Sequence, residues 1–167
     1  NKTAPASITG PNSFSAEGWV YQESYDSPAQ AWFSWGDRHH AGSVGLGITN
    51  NSWALGTGGQ AGTCIECFAP SSSWFPAWGP GAPKGLELFY YYATVYDSEN
   101  MTASFYINGV LNQEISVGQY DKALASTVYV GCLGRNGNAT PGYAFEGAVA
   151  KVRVHDGVLL AAQVLNN

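Results

Sequence analysis

A chain of 167 residues, 45% hydrophobic and 14% aromatic, is long enough for one domain with a sizeable core and too apolar to be disordered. Only 11% of its residues are charged, and a net charge of −5 with 7 Lys plus Arg leaves no basic stripe for nucleic acid or for an anionic membrane surface. No apolar run reaches the length of a membrane-spanning helix, so neither a nucleic-acid partner nor membrane insertion is expected.

Residues 1–13, interrupted by Pro5 and Pro11, read as an N-terminal extension ahead of a β-domain over residues 14–167. The chain opens on Asn1 without an initiator Met, which fits a processed, mature or excised product. Ser13–Tyr21 and Ala31–Trp35 are predicted to be extended. Val44–Ile48 and Trp53–Gly56 flank the turn TNNS and predict a hairpin. The stretch Gly56–Gly85 then breaks the rhythm. Its prolines at 70, 76, 80 and 83 stiffen it without allowing a central strand, and loops of this length are commonly functional.

Leu86–Asp97 reads as a long aromatic strand, with Tyr90, Tyr92 and Tyr96 on one face, lining either a concave sheet or the core. Met101–Ile107 and Val110–Val117 are joined by Asn108-Gly109, the strongest short-range hairpin signal, because both central residues of a type I′ turn need positive φ. The second arm does not alternate cleanly. Thr127–Cys132 and Ala148–His155 complete the set. In the last, Ala148, Ala150, Val152 and Val154 are predicted to face one way and Lys151, Arg153 and His155 the other. No segment carries a sustained 3.6-residue stripe; KALAS and LLAAQV manage at most a turn or two. The pattern predicts an all-β, two-sheet antiparallel sandwich.

Three internal sequons, at Asn50, Asn100 and Asn138, fall at turn-like places, and a fourth at Asn1 opens the chain. Together they point to an extracellular or cell-surface glycoprotein. Of the three cysteines, Cys64 and Cys67 suggest a short-loop disulfide, since no second Cys or His pair completes a zinc site. Cys132 is then free or paired elsewhere.

In order along the chain, FSAEGWVY (Phe14–Tyr21), FSWGD (Phe33–Asp37), FYYYATVYD (Phe89–Asp97), FYINGVL and the closing VYVG with FEGAVAKVRVHDGVLLAAQV resemble the strands of laminin G-like modules. The resemblance covers nearly all of Phe14–Val164 and implies a concanavalin A-like jelly roll. Members usually begin with a strand that pairs beside the last one. Here Ala6–Thr9 is either a stunted version of it or the place is vacant, and a vacant edge could accept the N-terminal segment of another copy. Some members bind calcium near strand ends. That makes calcium the one cofactor to consider, with Asp37 as the candidate ligand and Asp97 behind it, against the ordinary role of such an Asp in capping a turn.

Catalysis has little to stand on. Glycosidases need two carboxylates across the scissile bond, yet no Glu-x-Asp-x-x-Glu occurs and the seven Glu residues are scattered singly. GDRHH (Gly36–His40) has no further ligand spacing behind it, and no nucleophile elbow or phosphate loop is present. Trp74, Phe75 and Trp78 in the long loop are the remaining candidate contact residues, for a sugar or a protein interface, or as a lid on the sandwich. The expectation is therefore a non-catalytic structural or adhesive subunit that assembles with copies of itself or with other extracellular proteins. The alternative is a carbohydrate-binding module whose partners are glycans.

Overall fold

The computed structural model describes residues 3–24, 29–35, 44–50, 61–67, 88–116, 127–132 and 144–167. Among these, nine strands run in chain order: β1 (Phe14–Gln22), β2 (Ala29–Trp35), β3 (Val44–Asn50), β4 (Ala61–Cys67), β5 (Phe89–Asp97), β6 (Thr102–Ile107), β7 (Val110–Ser116), β8 (Val128–Val130) and β9 (Gly147–Asp156). They form two antiparallel sheets, ordered β7-β6-β5-β1-β9 and β4-β3-β2-β8. A short helix, α1 (Ala161–Leu165), closes the described chain. The fold is the expected all-β jelly-roll sandwich.

Alternation along β1 sends Phe14, Ala16 and Val20 inward, where they meet Trp32, Phe33 and Trp35 of β2 and Val44 and Leu46 of β3. Phe14 and Trp35 pack edge to face at 5.0 Å between ring centroids. Gly18 leaves room for the Trp32 ring, since a Cβ there would lie 2.9 Å from it. Tyr92 and Tyr96 belong to this core and Tyr90 packs against it, so the tyrosine face of β5 is interior.

The Asn108-Gly109 turn forms between β6 and β7, with φ of +49° and +79°. The untidy second arm has a cause. Phe105 pairs Gln113 while Tyr106 pairs Leu111, so β7 holds one extra residue in a bulge. A second bulge corrects the expected faces of β9. Gly18 pairs Val152 and Trp19 pairs Ala150, leaving Lys151 (φ +54°) as the extra residue. Val149, Val152 and Val154 therefore pack toward the core, while Ala148 and Ala150 lie on the face of Arg153 and His155.

Two further expectations change. The partner of β3 is Ala61–Cys67, inside the stretch read as a long loop, and β2 holds its other edge. Trp53–Gly56 lies outside the described residues. At the N-terminus, Ala6–Ile8 is a 3-10 turn, with the Ile8 N–H donating to the Pro5 carbonyl at 3.2 Å. Ala4 and Ile8 are buried in the core and Thr3 bridges Thr127. The place beside β9 holds no strand among the described residues.

Candidate functional site

The five-stranded sheet turns one face to the core. Its outer face carries the features that can do chemistry or bind. Ser15, Glu17, Trp19 and Tyr21 of β1 lie on it, with Phe89, Tyr91, Ala93, Val95 and Asp97 of β5 beside them.

The middle of this face is a buried polar knot. Glu17 is 1% exposed, directly opposite Arg153 in the β1–β9 register. Its Oε1 accepts from Arg153 Nη1 at 2.8 Å, and its Oε2 accepts from the Tyr91 hydroxyl and from Asn167 Nδ2, the latter at 3.1 Å. His155 Nε2 lies 3.2 Å from Oε1, without the angle of a hydrogen bond. Burial alone would raise the Glu17 pKa, but the hydrogen bonds from Arg153 and Tyr91 outweigh it and hold the carboxyl below its ordinary value. Burial, with Glu17 beside it, pushes the Tyr91 phenol up. Among the described residues no second carboxylate hydrogen-bonds within this knot.

Asn167 reaches Glu17 because residues 157–167 fold back over the sheet. Ser15 Oγ donates to the Gly157 carbonyl at 2.8 Å and accepts from the Leu159 N–H at 2.9 Å. Gln163 Oε1 accepts the Leu160 N–H at 2.8 Å, fixing the first turn of α1. Val164 is fully buried in a second apolar cluster with Tyr91, Ala93, Val95 and Tyr106. The returning segment thus divides the outer face in two.

On one side lies a row of aromatics. Trp19 is 37% exposed and stacks at 5.6 Å, tilted, on Tyr91; Phe89 is 48% exposed and lies 5.3 Å from the half-buried Tyr21. Ala148 and Ala150, their neighbours on β9, are too short to screen these rings. On the other side is a groove of about 550 Å³ beneath residues 158–161. Asp97, Asn100, Thr102, Ser104, Tyr106 and Glu114 line it, with Val95, Val158, Leu159 and Leu160 as its apolar wall.

Several residues singled out in the sequence are placed. Asp97 caps a turn: its Oδ1 accepts from the N–H groups of Glu99 (2.9 Å) and Asn100 (3.1 Å), and its Oδ2 accepts from Asn100 Nδ2 (2.8 Å). These bonds, the Asn100 side chain first, hold its carboxyl below the ordinary value. Among the described residues no three His, Cys, Asp or Glu side chains gather as a metal site. Asn100 is exposed in this turn, and Asn50 ends β3. Asp37, Trp74, Phe75, Trp78, Asn1 and Asn138 lie outside the described residues. Cys64 and Cys67 stand three apart in β4, where an extended chain separates Cα atoms by about 10 Å. Cys132 is a free thiol whose pKa burial pushes up.

Sequence reasoning missed the knot and both halves of this face. The only early signal was a lone Glu within the apolar run FSAEGWVY.

A laminin G-like family model, described as the concanavalin A-like lectin/glucanases superfamily, matches residues 1–165, and the chain belongs to that family. A comparison with curated protein sequences found no match. Among solved structures, the chain is similar to the CBM40 domain of the Ruminococcus gnavus IT-sialidase (TM-score 0.75, 18% identity, 96% of this chain and 85% of that one). It is also similar to domain 4 of AbnA, a GH43 extracellular arabinanase from Geobacillus stearothermophilus, in complex with arabinotriose (TM-score 0.66, 19% identity, 98% and 70%). A protein from Bacteroides ovatus is a third (TM-score 0.68, 18% identity, 99% and 43%). At these identities the likeness is one of fold.

Proposed function

We propose that the chain is a non-catalytic carbohydrate-binding module of an extracellular protein, and that it holds glycans on the outer face of its five-stranded sheet. The aromatic row of Trp19, Tyr21 and Phe89 carries this reading. Large rings left exposed on a sheet face, beside alanines, offer a flat apolar surface that fits the C–H face of a sugar ring. The carboxylate of Glu17 is buried beneath its hydrogen-bond partners, away from a bound glycan, which speaks for binding without hydrolysis. Similar folds include a CBM40 domain bound to sialyllactose and an arabinanase domain holding arabinotriose, which favours a glycan over a protein partner. An extracellular setting goes with the sequons at Asn1, Asn50, Asn100 and Asn138, and Trp74, Phe75 and Trp78 of the long loop are proposed as further contacts.

Assembly through the N-terminal segment is the weaker reading. Pulling residues 3–9 out to pair with another copy would expose Ala4 and Ile8. The proposed function is tested by affinity electrophoresis through gels containing plant and bacterial polysaccharides. At least one polysaccharide should retard the protein without releasing reducing sugar. Trp19→Ala and Phe89→Ala should each weaken that binding about tenfold, as loss of roughly 1–1.5 kcal/mol of stacking implies. Retardation by none, or sugar release, would refute the reading.

A further inference from the structure

We infer that the groove beneath residues 158–161 is a second sugar site on the same face, and that it takes neutral glycans and rejects acidic ones. The inference rests on the reading of the chain as a carbohydrate-binding module.

The groove is built for a molecule polar at its rim and apolar on its faces. Its volume, about 550 Å³, lies within the usual range for small-ligand sites. The floor, from β6 and β7, presents the hydroxyls of Thr102, Ser104 and Tyr106 and the carboxylate of Glu114. The returning segment sets Val158 and Leu160 over that floor, 42% and 65% exposed. A pyranose or furanose ring meets both demands, with hydroxyls to the floor and C–H bonds to the wall.

Charge then decides which sugars. Ser104 Oγ donates to Glu114 Oε2 at 2.8 Å. An ionised carboxylate has further acceptor capacity and takes only donors, such as sugar hydroxyls. The oxygens of Asp97 are occupied by Glu99 and Asn100, yet its charge remains at the rim. Among the described residues no cation lines the groove. Lys151, Arg153 and His155 stand on β9, beyond β5 and β1 from the groove floor, and Arg153 is committed to Glu17. A sugar carboxylate entering here would meet two like charges and, among the described residues, no counter-ion.

The test is calorimetric titration of the whole chain, produced without N-glycans so that Asn100 at the rim stays bare. Neutral probes are arabinotriose, xylotriose, cellotriose, mannotriose and lactose; acidic probes are 3′-sialyllactose and trigalacturonate. We expect a neutral probe to bind. Glu114→Gln, which keeps the shape, should weaken it about tenfold or more through the lost charged acceptor. Leu160→Ala, at an exposed position that leaves the fold intact, should weaken it several-fold. Tighter binding of an acidic probe would overturn the inference, as would neutral binding that survives both groove variants yet falls with Trp19→Ala. That last result would leave the module reading standing. Binding of no probe would overturn the inference, and the polysaccharide gels decide separately whether the module reading falls with it.

Discussion

Glu17 shows how a single side chain ties the face together. A carboxylate buried to 1% exposure persists only because Arg153, Tyr91 and Asn167 supply its hydrogen bonds and His155 stands close by. Its folded pKa lies below the ordinary value of 4.5. The stability it contributes is therefore fully present above about pH 4.5, the unfolded value, and is lost as pH falls through the lower folded value. Thermal melts should fall in that acid window. Glu17→Gln should cost about 1–3 kcal/mol at neutral pH and flatten the acid limb; an unchanged limb would show that Glu17 is not its source. Beyond the lone Glu in an apolar run, this knot is not legible locally, because Arg153 lies 136 positions along the chain from Glu17. Only the β1–β9 register brings them opposite.

Among the elements, the strands with clean alternation or a strong turn were legible. β1, β2, β5 and the β6–β7 hairpin fall within a few residues of their expected spans, because side-chain periodicity and Asn108-Gly109 specify them locally. β3, β8 and β9 also lie within a few residues of theirs, so what depended on long-range pairing was β4 and the faces of β9. β4 sits between Gly-rich and Pro-rich stretches and becomes a strand through β3, and the bulge at Lys151 inverts the expected face of Ala148 and Ala150. Without that bulge the alanines would not stand beside the aromatic row. The extended β4 makes its own prediction. Alkylation in denaturant without reductant should modify all three cysteines; modification of Cys132 alone would show Cys64 and Cys67 paired.

For the whole molecule, the sandwich class and its family were readable from the ordered set of strand motifs, whereas the binding face was not. Its aromatic row draws on β1 and β5, and its groove on β5, β6, β7 and the returning segment, so no single stretch of sequence displays either. The same geometry bears on assembly. β9 is an edge strand of ten residues, but the bulge at Lys151 interrupts its ladder, a device that discourages strand addition. The described surface is thus arranged around one face and not around an edge. The most direct test is nuclear magnetic resonance mapping of backbone amide shifts on addition of the tightest-binding oligosaccharide. The account predicts that the largest shifts cluster on the outer-face positions of β1, β5, β6 and β9 and on residues 157–161. Shifts confined to β2, β3 and β8, or to residues 68–87, would contradict it.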